Sequence, residues 1–234
     1  MTSSEISKKI KSLADPERAK ILARYFKTGP GEYGEGDTFM GLKVPQVRKL
    51  AGEFKTLSLE ETKKLLKSPI HEERLLSLFL LIQIFNKGNE EVRERVYRLY
   101  LENTRYINNW DLVDTSAPHI IGTYLFDKDR APLYDLAVSG YLWERRMAIM
   151  ATFCFIRNNQ YDDTLRIAEK LLAHKEDLIH KAVGWMLREV GKRDIDIEKG
   201  FLDSHYKVMP RTMLRYAIER FAKEERAAYL KGEM

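Results

Sequence analysis

The 234-residue chain carries 40 Lys and Arg against 35 Asp and Glu, a formal net charge of +5, with 44% hydrophobic residues and a single cysteine, Cys154. That composition supports a substantial core, and no apolar run approaches the roughly 18 residues that a membrane span needs. One cysteine excludes an internal disulfide framework. With an N-terminus, Met1-Thr2-Ser3-Ser4-Glu5, that lacks an apolar leader, it sets the expectation of a reducing, cytoplasmic setting. Cys154, between Phe153 and Phe155, reads as a small core residue.

Taken in chain order, the first break is the Gly-rich stretch from Gly29 to Asp37. It reads as a loop, and with three acidic residues and no GK[ST] it is not a phosphate cradle. Leu57–Leu66, Glu90–Leu101, Ala131–Val138, Tyr161–Leu172 and Arg211–Phe221 then read as helices, with apolar residues at helical spacing. Breakers separate them at Ser68-Pro69, Lys87-Gly88-Asn89, Pro118, Ser139-Gly140, Gly191-Lys192 and Met209-Pro210. Strand alternation is missing. Short helices with short connections predict an all-α fold of antiparallel neighbours, read as one domain over residues 1–234.

Arg74, Trp110, Arg146 and Ala182 recur every 36 residues, each near the start of a helix that follows another amphipathic helix. A helix-pair period of about 34 to 47 residues is the mark of an α-solenoid, in which the second helices line a concave face. Those second helices carry Trp110 and Asp114, Trp143 with Arg145 and Arg146, Lys181 with Trp185 and Arg188, then Arg211 with Arg215. Side by side, such stripes would form a basic groove with tryptophans, suited to a phosphate backbone. Each stripe taken alone also reads as an ordinary solvated face.

The segment Asn108-Asn109-Trp110-Asp111-Leu112-Val113-Asp114 is the most informative. On a helix, Trp110 and Asp114 stand at i and i+4 on one face, while Leu112 and Val113 turn to the core and Asp111 points elsewhere. An indole face beside a carboxylate suits a cation, either stable or developing during a reaction. The spacing equally allows a core tryptophan beside a carboxylate that caps the next helix.

These residues resemble the AlkD family of DNA alkylation-repair glycosylases, built from HEAT-like helical repeats. The resemblance covers essentially the whole chain. It rests on four blocks in order: Phe39 to Arg48 (FMGLKVPQVR), Asn109 to Pro118 (NWDLVDTSAP), Trp143 to Arg146 (WERR) and Lys181 to Glu189 (KAVGWMLRE). It implies removal of N3- or N7-alkylated purines from double-stranded DNA. Carried over by position, Asp114 is the catalytic carboxylate, Trp110 and Trp185 flank the deoxyribose, and Arg146 holds the backbone at the lesion. Lys43, Lys181 and Arg188 become phosphate contacts, and Tyr25 reaches the same cleft; the basic groove adds Arg48, Arg145, Arg211 and Arg215 as expected DNA contacts. The further expectation is a monomer, since a solenoid needs no partner to bury its core, with no cofactor, no membrane and no obligate protein partner, cytoplasmic and associated with the nucleoid when bound to DNA. Two departures bear on substrate range: the length of the Gly29–Asp37 segment, and Asp177-Leu178 where some members carry aromatics.

Glycoside hydrolysis normally takes two carboxyl groups, one of them to protonate the leaving group. An alkylpurine that is already cationic departs neutral without that acid, so one carboxylate suffices for the oxocarbenium-like sugar. Asp114 is worth ~3 kcal/mol there and each indole roughly 0.5–2 kcal/mol. A lyase route would need a nucleophilic amine such as Lys181, which reads instead as a backbone contact; the expectation is a monofunctional glycosylase. The histidines His71, His119, His174, His180 and His205 form no metal-ligand spacing. The alternative from another class is a non-catalytic solenoid that binds DNA or a protein.

Overall fold

Helices begin where the sequence offers an oxygen to the first free amides. In the computed structural model, which describes residues 1–234, the Thr2 hydroxyl accepts from the Glu5 amide at the start of α1 (Ser3–Ser12). Asp15 accepts from the Arg18 amide at 3.0 Å and opens α2 (Pro16–Tyr25), with Pro16 placed where no N–H is needed. After α3 (Val44–Glu53), Ser58 caps α4 (Leu59–Leu66), α5 (His71–Lys87) follows, and Asn89 caps α6 (Glu90–Leu101) ahead of α7 (Trp110–Ala117). Then come α8 (Ala131–Val138), α9 (Leu142–Ala151), the short α10 (Phe153–Ile156), α11 (Asp162–Leu171) and α12 (Asp177–Gly191). The chain ends with α13 (Ile195–His205), capped by Asp194, α14 (Arg211–Ala217) and α15 (Lys223–Lys231). There is no strand; an isolated bridge joins Thr38 to Ile70. No helix is long and apolar enough to cross a membrane.

The chain gathers into two compact units, residues 1–116 and 117–234. In the first, α5 is buried over most of its length, so its apolar residues surround it instead of forming a stripe. It packs on α3, α4 and α6. In the second, α12 holds the corresponding place and packs on α9, α11, α13 and α14. Of the four helix pairs that the 36-residue spacing predicts, three are closely packed neighbours: α4 with α5, α8 with α9, and α11 with α12.

Pro118 differs from expectation. It does not break the helical backbone but opens a π-helical stretch, Pro118–Gly122. Pro118 stands at the head of this wider turn, and the Thr123 hydroxyl donates to the Pro118 carbonyl at 3.2 Å. Trp143 is another correction, since at 3% exposure it is core and not part of an exposed stripe. Cys154, expected in the core, is only half-buried, beside the Thr123 hydroxyl at 3.7 Å. The helix expected over Arg211–Phe221 stops at Ala217 and gives way to a 3-10 turn, Ile218–Arg220.

One turn in the first unit admits a single residue type. The segment ahead of α3 is held by the buried Glu72 carboxylate, which accepts from the amides of Met40 (2.9 Å), Gly41 (2.8 Å) and Leu42 (3.2 Å). Gly41 has φ +86, and a Cβ there would lie 2.2 Å from the Asp15 carbonyl oxygen. Gly41→Ala is therefore expected to lower folding stability by about 2 kcal/mol or more. Urea unfolding measures it; a loss below about 0.5 kcal/mol would contradict the close packing of this turn.

Candidate active site

α7 starts at Trp110 because Asn109, itself fully buried, turns its Oδ1 to the Trp110 amide at 2.8 Å. The Asn109 carbonyl accepts from Val113 at 3.1 Å. Leu112, Val113 and Ser116 fill the core side of the helix, and the Ser116 hydroxyl meets Tyr100 Oη at 2.7 Å. The opposite side leaves Trp110 and Asp114 half-buried, one turn apart. The plainer sequence reading thus fails on both counts. Trp110 is not core, and Asp114 lies inside α7, not at a cap. Burial raises the pKa of the Tyr100 phenol, and the nearby Asp114 charge adds to the rise.

The Trp110 indole is clamped by the end of α2. Phe26 stacks on it at 5.2 Å with planes 20° apart, and Tyr25 meets it edge-on at 6.0 Å. Tyr25 is 63% exposed, so an aromatic rim borders the Trp110–Asp114 face. Beneath it the rings continue inward. Phe26 stacks on Phe39 at 5.0 Å, and Phe39 stacks on His71 at 4.4 Å. His71, 2% exposed, ends this column between two carboxylates: Nδ1 is 2.9 Å from Asp37 Oδ2 and Nε2 is 2.8 Å from Asp111 Oδ2. Arg74 donates to the other oxygen of Asp37, and the Asn109 amide nitrogen lies 3.4 Å from Asp37 Oδ2. Lys43 and Arg48 are exposed at the start of α3, with the Arg48 guanidinium 4.8 Å from the centre of the Phe79 ring.

In the second unit Lys181, Trp185 and Arg188 follow one another along one face of α12. Trp185 is half-buried, and its indole N–H donates to Glu189 Oε1 at 3.1 Å. Glu189 in turn pairs with Lys192 at 2.5 Å and Arg193 at 3.3 Å. Burial works to raise its pKa, and these partners together hold it below the usual value. Gly184, beside Trp185, lets α14 close on α12: a Cβ there would stand 2.3 Å from the Met213 carbonyl. Lys181 pairs with Asp177 at 2.7 Å, and Arg188 with Glu219. Arg145 donates to His174 Nε2 at 2.5 Å. Arg211 and Arg215 are exposed, the former donating to the Leu230 carbonyl at 2.6 Å. Arg146 is 4% exposed and donates to the Leu178 carbonyl in the first turn of α12. No group of three or more His, Cys, Asp or Glu is arranged to hold a metal ion.

The family model described as DNA alkylation repair enzyme matches residues 6–221. The chain belongs to that family. A solved structure described as a predicted DNA alkylation repair enzyme from Enterococcus faecalis superposes with a TM-score of 0.69 at 18% identity, covering 90% of this chain and 97% of that one. AlkD2 from Streptococcus mutans gives a TM-score of 0.55 at 18% identity, over 78% of this chain and 91% of that one. No curated protein sequence matches the chain. For a DNA alkylation repair enzyme, DNA is the expected partner, and the exposed Lys43, Arg48, Arg211 and Arg215 are of the right charge to meet it.

Sequence reasoning missed Asp37, His71 and the rings of Phe26 and Phe39. The signal was present in His71-Glu72-Glu73-Arg74, a charged run leading directly into the apolar Leu75-Leu76 stretch of α5. All four are under 5% exposed. Burial alone would push the His71 pKa down; the charge of Asp111 and the hydrogen bonds and charge of both carboxylates override it and raise the pKa to about 9. Asp37, despite its own burial, is held below the usual value by His71 and Arg74. A raised histidine pKa adds stability that is complete below about pH 6.5 and is lost as pH rises through 9. Asp111→Asn removes the largest favourable influence, so between pH 7.5 and 9.5 the variant should lose about 1 kcal/mol less stability than the wild type. Urea unfolding across that range reads the difference. Equal losses would contradict a charged His71.

Proposed function

We propose that the protein is a DNA glycosylase that hydrolyses the N-glycosidic bond of N3- or N7-alkylated purines in duplex DNA. The observation that carries this reading is the Trp110–Asp114 face, with its half-buried indole and carboxylate one turn apart and the exposed Tyr25 at its edge. Membership of a DNA alkylation repair family supports it.

The chemistry follows from the charge of the lesion. The C1′–N bond breaks with its electron pair passing to the base nitrogen, which cancels the positive charge there, and the purine leaves neutral. Positive charge then grows on the sugar, where Asp114 offers an anion and Trp110 an electron-rich face. Water adds to C1′ and gives its proton to Asp114 or to solvent. No acid is needed at the leaving group, and the reading assigns none. The family resemblance gives Trp185 the part of a second indole beside the sugar. The exposed cations take the phosphates, each adding to the salt dependence of binding. Arg146, largely buried, serves in this reading to fix the first turn of α12, from which Lys181 and Trp185 follow.

Asp114→Asn keeps the volume of the side chain and removes its charge. Single-turnover release of 7-methylguanine or 3-methyladenine from methylated duplex should fall about 100-fold or more, as loss of ~3 kcal/mol of charge stabilisation implies. DNA affinity should change less than about threefold. Release at a rate comparable with the wild type would contradict the assignment, and DNA binding without base release by the wild type would favour a non-catalytic binding protein.

A further inference from the structure

We infer that His71 is a positioning residue for the Trp110 indole, joining the loop that carries Asp37 to the first turn of α7 through Asp111. The inference rests on the reading of the Trp110–Asp114 face as the reacting site. Two independent sets of contacts carry it. The first is polar: both ring nitrogens of His71 are engaged, with Asp37 at 2.9 Å and Asp111 at 2.8 Å. Asp111 immediately follows Trp110 and Asp37 lies close to Phe39, so one imidazole ties down the segments that bear both rings. The second is the ring column, in which His71 stacks on Phe39, Phe39 on Phe26, and Phe26 on Trp110, at 4.4, 5.0 and 5.2 Å. His71, itself buried, is therefore linked to Trp110 by two routes, along the backbone from Asp111 and through the rings of Phe39 and Phe26.

The charged groups around the ring are few. The loop contributes Asp37 and α7 contributes Asp111. On α5 itself, Arg74 is turned to Asp37 and Glu72 to the amides of Met40, Gly41 and Leu42. A charged His71 and Arg74 offset the charges of Asp37 and Asp111, while Glu72 is met by backbone amides and Glu73, buried on the same turn of α5, adds a further carboxylate. Loss of the His71 proton leaves one carboxylate charge without its partner inside the protein. The stacked segments then lose the charge that holds them together. Below the transition the indole is held; above it, the first turn of α7 loosens.

The test uses the full-length protein labelled with 5-fluorotryptophan, the Trp110 signal being assigned from Trp110→Phe. In the wild type, the ¹⁵N shifts of the His71 ring should report an imidazolium at pH 7.5 that titrates near pH 9, and the Trp110 ¹⁹F signal should change through the same transition. In Asp111→Asn both transitions should move down together by about one pH unit or more. A Trp110 signal that ignores the His71 titration, or that fails to move with it in Asp111→Asn, overturns the proposal. At pH 8 the variant's single-turnover base release should fall about twofold or more relative to the wild type, as the smaller protonated fraction of His71 implies, with DNA affinity unchanged. Weaker DNA affinity with an unchanged rate also overturns a positioning role. A wild type that releases no base strikes the glycosylase reading alone, because the ¹⁹F titration reads the indole without DNA.

Discussion

The first unit is organised around a buried cation held between two carboxylates. Taking a charge out of water costs several kcal/mol unless it is paired and hydrogen-bonded, and His71 is paired through both of its nitrogens. The arrangement connects three stretches of chain that local structure leaves independent: the loop ending at Asp37, the start of α5, and the start of α7. Glu72 extends it by holding the turn from which α3 begins. What reaches the surface above this charged layer is an aromatic rim and a carboxylate, Tyr25, Trp110 and Asp114, whose supports lie below them.

That order of layers suits the proposed chemistry. Stabilising a sugar cation needs an anion and an electron-rich ring that are already in place when the charge forms, since reorganising them during the reaction would consume the gain. A helix supplies Trp110 and Asp114 at a fixed i, i+4 separation, and the packing of Phe26 sets the plane of the indole. In the second unit Trp185 is fixed by a different device, a hydrogen bond from its N–H to a carboxylate that Lys192 and Arg193 keep ionised.

Helices were legible in the sequence where local chemistry decides them. Asn89 and Ser58 cap, Leu and Ile recur at helical spacing, and α6 and α8 run over the expected residues. The pairing of helices followed from the repeat for three of the four pairs. Burial was less legible, because it depends on partners distant in sequence. Trp143 and Trp110 look alike as residues, yet one is core and the other half-buried. Arg146 looks like a surface cation and is largely buried, one of its contacts being the Leu178 carbonyl. Pro118 reads as a break because its cost is local, while its accommodation depends on a π turn that no pattern announces. Asp37 was passed over within a loop judged only for phosphate binding, since its partners His71 and Arg74 lie more than 30 residues away. A polar run entering an apolar helix is the pattern that would have found them.

In the proposed reaction the protein stabilises a sugar cation and supplies no acid to the departing base. Base release from two duplexes of one sequence, one methylated and one carrying uracil, tests it most directly. The account predicts release of 7-methylguanine and 3-methyladenine from the first, because those bases leave neutral, and no release of uracil from the second. Release of uracil at a comparable rate would contradict it, because that base must be protonated or leave as an anion.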